Sequence, residues 1–314
     1  MKISGFTMAK NASKLYYPIK EAIASILPIV DEFIVALGDC DADDTTLEEI
    51  NSLQSDKIRI IHTKWDIAKY SRGTENAHQT DIAKNECKGD WCFYLQADEV
   101  VHEKYLKSIY QQCNDLKNNQ NIEGLLFKYK HFYGDYDHFI NFHGWYPNEI
   151  RLVRNHPDIH SYISAQSFRR IPNFDGVDYR QKENTFKLNV AKSDAYIYHY
   201  GWVRPPKLMF KKNLSLSKIH HGNAVDDRQK NTEDLFDYGN LSKLPIFKET
   251  HPEVMHDFVK NFNWKEQLHF DKNYKPQRPL MKHEKLRSRI LTFIEQDLFK
   301  GSVYLGYSNW NIKG

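Results

Sequence analysis

The sequence predicts an α/β fold: a mostly parallel sheet flanked by helices, followed by a mainly helical C-terminal appendage. Three observations carry this. Between Lys2 and Asp98, short apolar runs bounded by turn residues alternate with stretches of helical periodicity, as in successive βαβ units. The run Glu32–Leu37 is continuously apolar after its first residue, as a parallel strand covered on both faces should be. Two of the runs discharge directly into acidic loops, and in open α/β sheets ligands bind outside the carboxyl ends of the strands.

Taken in order, residues 2–7 read as a short buried strand, with a turn at Lys10-Asn11-Ala12-Ser13. Over residues 15–27, Leu15, Ile19, Ala22, Ile23 and Ile26 keep helical spacing until Pro28 stops the helix. The second strand, Glu32–Leu37, leads into Gly38-Asp39-Cys40-Asp41-Ala42-Asp43-Asp44, then a helix starting near Thr45 with Leu47 and Ile50 inward. Residues 58–62 form a third strand and residues 74–87 a helix. A turn at Lys88-Gly89-Asp90 opens the fourth strand, residues 91–96, which ends abruptly in Asp98-Glu99. This order brings Asp39, Asp41, Asp43 and Asp98 to one edge of the sheet, where carboxylates suit a hard divalent cation and a cation suits a phosphate.

Beyond Asp98 the alternation degrades. A helix is expected over residues 103–114, a strand over 124–132, and an aromatic, histidine-rich loop over 134–144. Residues 149–154 alternate charged and apolar side chains as a half-exposed strand would. Residues 167–177 and 185–198 read as further β elements, ending in His199-Tyr200-Gly201-Trp202. After Arg204-Pro205-Pro206 the pattern turns helical (207–221 and 253–262), with irregular chain around Pro276 and Pro279. A boundary near residue 205 divides the chain into 1–205 and 206–314.

The composition narrows the function class. At 314 residues, with 40% hydrophobic and 27% charged residues, the chain suits one large domain or a domain with an appendage. A net charge of +3 is too small to argue for nucleic acid. The four cysteines form no C-x-x-C pair, and Met1 to Phe6 is too short an apolar run for a signal peptide. The expected setting is the reducing cytoplasm, with nothing spanning a bilayer.

Four pieces in order make the sequence resemble the family 2 glycosyltransferases of the GT-A fold. The similarity is closest to the bacterial branch that builds lipopolysaccharide core and other surface glycans. The pieces are the opening strand, Asn11 turn and helix; the second strand with its acidic loop ending Asp43-Asp44-Thr45; Gly89-Asp90-Trp91 through Gln96-Ala97-Asp98-Glu99, at the family's Asp-x-Asp position; and Gly144-Trp145-Tyr146-Pro147-Asn148-Glu149 leading to Arg151-Leu152-Val153-Arg154. Together they cover roughly residues 1–200. The resemblance implies a Rossmann-like nucleotide-sugar-binding domain, a UDP-sugar donor, a glycan or lipid-linked acceptor, and Mg²⁺ or Mn²⁺. Gln96 stands where the family carries its first Asp, and Asp81 where the family often has Asn.

On that resemblance Asp98 would hold the metal, with helix N-capping as its structural alternative. His199 would be a second ligand, or simply a strand-end histidine. Asn11, Asp39, Asp41, Asp81, Gln96, Ala97 and Trp202 are the candidate donor contacts, Trp202 by stacking or else by closing the hinge. An inverting transferase needs a general base near the acceptor hydroxyl. Glu149 is the candidate, an ion-pair partner of Arg151 or Arg154 the alternative, and Asp135 and Asp137 are fallbacks. The branch's His-Glu pair after that strand is replaced here by His160-Ser161-Tyr162. Arg151 and Arg154 would clamp anions or remain solvated. The basic run Arg278, Lys282, Lys285, Arg287 and Arg289 offers peripheral contact with anionic headgroups. Two rival readings are a non-catalytic sugar-nucleotide-binding protein with a decayed site, and a nucleotidyltransferase. The latter would be expected to carry a Gly-rich loop after its first strand, where Thr7-Met8-Ala9-Lys10 stands.

Overall fold

The structure, a computed structural model, describes residues 1–221, 235–298 and 308–313. Its elements in chain order are β1 (Ile3–Ala9), α1 (Ile19–Ile26), β2 (Glu32–Leu37), α2 (Thr46–Asn51), β3 (Ile58–His62), α3 (Thr74–Asn85), β4 (Trp91–Tyr94), β5 (Glu99–Val101), α4 (Leu106–Leu116) and β6 (Gly124–Tyr133). They continue with β7 (Phe139–Ile140), β8 (Asn148–Arg154), β9 (Ile159–Tyr162), β10 (Ser167–Arg170), β11 (Phe186–Trp202), α5 (Pro206–His221), α6 (His256–Lys260), α7 (Leu286–Phe293) and β12 (Trp310–Ile312). The sheet runs β3-β2-β1-β4-β8-β6-β11-β10-β9. Its first four strands are parallel, as expected, and β8 enters antiparallel beside β4.

Strand-by-strand alternation shows both faces covered. Phe33, Val35 and Leu37 pack with Ile19, Ile23 and Ile109 from α1 and α4, while Ile34 and Ala36 pack on the opposite face with Ala83 of α3. The helix expected from residue 15 starts four residues later. Asn11 and Tyr16 take positive φ, and the amides of Tyr16 and Tyr17 bond back to Ser13 and Ala12, so this stretch folds as turns. Pro28 sits in the short 3₁₀ turn Leu27–Ile29 that ends the helix.

Two expectations need correction. The fourth strand stops at Tyr94, and the chain turns at Gln96 to start β5, which runs antiparallel to the end of β11. Strand β8 is buried from Glu149 to Val153, not half-exposed. Arg151 is fully buried because its guanidinium forms a two-pronged pair with Glu99, Nε to Oε2 at 2.7 Å and Nη2 to Oε1 at 2.7 Å. The Tyr129 hydroxyl donates to the same carboxylate at 2.8 Å. Arg154 lies over Trp91, 3.8 Å from its ring centre, and donates to the carbonyls of Lys117 and Asn119 after α4. Both arginines therefore bind the protein's own groups. Removing one partner of a buried pair strands the other charge, so Arg151→Ala is expected to cost about 3–5 kcal/mol. The midpoint of denaturant unfolding measures this.

A third cluster joins the sheet to the later chain. Phe132, Tyr133, Tyr198 and Tyr200 pack with Tyr238, Leu241, Phe247, Met255 and Trp264. Cys40, Cys87, Cys92 and Cys113 are free thiols. Among the described residues no helix is long and apolar enough to cross a membrane.

Candidate active site

A cleft of about 530 Å³ opens over the carboxyl ends of the neighbouring strands β1 and β4. Of the residues the sequence singles out, Asn11, Gln96, Ala97, Asp98, His199 and Trp202 line it. Helix α5 supplies one wall through Lys212, Ser215, Leu216 and Ile219, spaced i, i+3, i+4 and i+7 on a single helix face.

Asp98 is buried, yet neither neighbouring nitrogen reaches it within hydrogen-bond distance: Oδ2 lies 3.7 Å from His199 Nε2 and 3.6 Å from Lys212 Nζ. Nor does it cap a helix, because β5 follows it directly. Burial opposes its charge, but His199, Lys212 and Arg204 outweigh that and hold the carboxyl below its usual range. Burial and Arg204 push Lys212 down to about 7 against the pull of Asp98.

The protonation of His199 follows from its neighbours. The sheet registers it opposite Glu99 on one side and His131 on the other. His131 Nε2 lies 2.7 Å from the Tyr146 carbonyl, which only accepts, so Nε2 carries hydrogen. Burial, reinforced by His199, pushes His131 down to about 3, so the ring is neutral and its Nδ1 is a bare acceptor. His199 Nδ1, 2.9 Å away, must then donate to it. Burial, only partly offset by Asp98, pushes His199 down to about 4, which leaves its Nε2 a lone pair facing the Asp98 carboxylate. Two electron-rich atoms are thus aimed at one gap. A β-carbon on residue 201 would stand 2.5 Å from Asp98 Oδ2 and 2.6 Å from His199 Nε2, and Gly201 leaves that position open.

A carboxylate oxygen and a neutral imidazole whose other nitrogen is tied down are donors that fit Mg²⁺ or Mn²⁺. Among the described residues no group of three His, Cys, Asp or Glu side chains converges. The protein would supply two ligands and leave the rest to phosphate oxygens and water, as is usual for Mg²⁺.

The remaining candidates lie outside the cleft lining. Asp39 pairs with Lys10 at 2.7 Å and accepts the Trp65 amide, and Asp41 and Asp43 pair with Lys14 at 2.9 and 2.6 Å. Three of the loop's four carboxylates are therefore already paired, with two lysines of the β1–α1 turn. Asp81 ties α3 to β9, bonding His160 Nδ1 at 2.8 Å and the Ser161 amide at 2.7 Å. Asp135 closes its own turn, accepting the amides of Asp137 and His138 and pairing with the His138 ring. Gln96 commits its amide nitrogen to the Ala165 carbonyl at 2.7 Å. Trp202 stacks on Tyr133 at 5.7 Å and meets Trp145 at 5.5 Å.

Glu149 is buried, with Oε2 unpartnered. Burial pushes its carboxyl up to about 7, with Glu99 adding to this and Arg151 and Ser167 opposing. Such an acid holds its proton more tightly folded than unfolded. The fold is therefore penalised progressively as pH rises from 4.5 towards 7, and fully above that. Glu149→Gln is expected to stabilise the protein by about 3 kcal/mol above neutrality and by nothing below the lower pKa. Denaturant midpoints at the two extremes measure the difference.

Sequence reasoning missed Lys212, Trp65, Tyr17 and His131. The α5 stripe was a visible signal for Lys212. Trp65 lines the cleft with its indole Nε1 buried and unpartnered.

No protein-family profile matches this chain, and no curated protein does. Among solved structures, it is similar to S. aureus TarS 1-349 at 15% identity and a TM-score of 0.39, covering 73% of this chain and 68% of that one. The same fragment in complex with UDP gives 16% identity and a TM-score of 0.38. Glucosyl-3-phosphoglycerate synthase from Mycobacterium tuberculosis, in complex with Mn²⁺, UDP and phosphoglyceric acid, gives 19% identity and a TM-score of 0.28. That match covers 42% of this chain and 43% of that one. Likeness at this level carries no assignment, and the functional reading rests on the site itself.

Proposed function

We propose that this protein is an inverting, metal-assisted glycosyltransferase of the GT-A, family 2 type. It would move a sugar from a nucleotide-sugar donor, a UDP-sugar, to a hydroxyl of a glycan or lipid-linked acceptor in cell-surface polysaccharide synthesis, from the cytoplasmic side. One observation carries the reading. A buried carboxylate and the bare nitrogen of a neutral imidazole face a gap kept open by Gly201, on the floor of a cleft at the carboxyl edge of parallel strands.

Asp98 and His199 would hold Mg²⁺ or Mn²⁺, which when bound neutralises charge on a leaving diphosphate. The chain's own groups do the rest. Lys212 sets an amine on the cleft wall beside the same carboxylate, positively charged below about pH 7. Asn11, Gln96 and Ala97 line the donor side, while Tyr146 and Trp202 present rings on which a sugar can stack. Asp39 and Asp41 steady the loop beside the nucleotide through Lys10 and Lys14. For the base we propose Glu149, whose carboxyl near 7 suits proton abstraction at neutral pH; it lies outside the cleft lining, so the acceptor hydroxyl would have to approach it from the cleft, with Asp135 and Asp137 behind it. Residues 1–205 would form the donor-binding domain and 206–314 the region that shapes the acceptor side.

The test is incubation with a panel of nucleotide sugars and Mn²⁺, following release of nucleoside diphosphate. Donor hydrolysis or transfer supports the reading. Nucleotide binding without turnover, given candidate acceptors, would instead favour a decayed binding site, the reading to which Gln96 in place of the family's first Asp points. Pyrophosphate release from a nucleoside triphosphate would make the protein a nucleotidyltransferase.

A further inference from the structure

Helix α7 is turned inside out. Its buried residues are polar, Ser288 and Thr292, followed one turn later by buried Glu295. This face is held to the 141–143 loop by hydrogen bonds: the His143 amide donates to Thr292 Oγ1 at 2.8 Å, and the His143 ring meets Glu295 at 2.9 Å. The outward face is apolar. Leu286, Ile290 and Phe293, at i, i+4 and i+7, are 73%, 51% and 57% exposed. A helix of a water-soluble domain normally places its side chains the other way round.

Charge decides what covers this stripe. On a helical wheel Arg287 and Arg289 flank it on either side, and Lys282 and Lys285 precede it, all four exposed. None of the four pairs with a carboxylate among the described residues, whereas the nearby Arg278 is held by Glu284. An apolar ridge between cations is the arrangement that lies in the headgroup layer of an anionic membrane. A second copy of this chain fits poorly, because a two-fold contact on this ridge would bring like charges together.

We propose that α7 docks the protein on an anionic lipid surface, with Leu286, Ile290 and Phe293 among the acyl chains and the flanking arginines and lysines on phosphates. The docked face is packed through to the cleft. His283, just before α7, meets Tyr133 at 5.4 Å and Trp145 at 6.2 Å, and both rings pack on Trp202. The inference stands on α7 alone and holds whichever reaction the cleft performs.

The experiment is sedimentation of the full chain with vesicles of phosphatidylcholine alone, and of phosphatidylcholine mixed with phosphatidylglycerol, at low and high salt and without donor. Binding is expected only to the anionic vesicles and weakens with salt. Ile290→Ser with Phe293→Ser, and separately Arg287→Glu with Arg289→Glu, should each weaken it by about tenfold or more. All four side chains are exposed, and an unchanged melting temperature confirms that the variants fold. Absence of binding to anionic vesicles, or binding that neither double variant changes, overturns the proposal. So does a wild-type dimer that Ile290→Ser with Phe293→Ser dissolves, since the ridge would then belong to a second copy.

Discussion

Asp98→Asn is expected to lower sugar transfer by about 10³-fold while leaving the fold intact. The fold should survive because the carboxylate makes no short bond: the Lys212 and His199 nitrogens stand at 3.6 and 3.7 Å, and the backbone carbonyl that accepts the Tyr200 amide at 2.8 Å is untouched. The amide also keeps the shape of the side chain. What it loses is the anionic oxygen facing the His199 lone pair, and with it half of the proposed metal ligation. Two measurements separate the roles. Initial rates of diphosphate release should fall, and Mn²⁺ titration of the protein without donor should show the affinity lost as well. Retained transfer would mean that Asp98 serves only to balance Lys212 and Arg204.

The parts of this design that were legible in the sequence are those set by local pattern. Strands β2 and β3 occupy the stretches that their apolar residues mark: β2, buried on both faces, leaves an unbroken signature, whereas β3, at the edge of the sheet, keeps Arg59 and His62 exposed. Asp98 and Gln96 could be placed on the cleft because the strand before them is short and ends sharply. The parts that were not legible depend on partners distant in the chain. Arg151 reads as a solvated charge until Glu99, 52 residues away, is brought against it. Likewise β5 begins with a carboxylate and becomes a strand only by pairing with β11. The acidic residues Asp39 and Asp41 suggest a cation until Lys10 and Lys14 fold over from the preceding loop. The state of His199 is fixed by a histidine 68 residues earlier and a carbonyl beyond it, and no spacing in the sequence announces such a relay. Net charge and motif order constrain the class of chemistry; protonation and pairing come from the fold.

Gly201→Ala should abolish metal-dependent transfer although it adds a single methyl group and removes no ligand. Gly201 is not among the glycines with positive φ, so alanine fits the backbone without strain. The obstacle is the space. Its β-carbon would stand 2.5 Å from Asp98 Oδ2, 2.6 Å from His199 Nε2 and 2.8 Å from His199 Cε1, well inside van der Waals contact. The strand holds the α-carbon, so the carboxylate and the ring must move apart, and the gap between the two lone pairs is filled by carbon. Metal affinity is expected to fall by about 100-fold or more, with turnover following it. The informative comparison is with Asp98→Asn. Both variants should lose Mn²⁺ binding, but only the alanine variant keeps both ligands. If Gly201→Ala binds Mn²⁺ normally, the cation does not sit between Asp98 and His199.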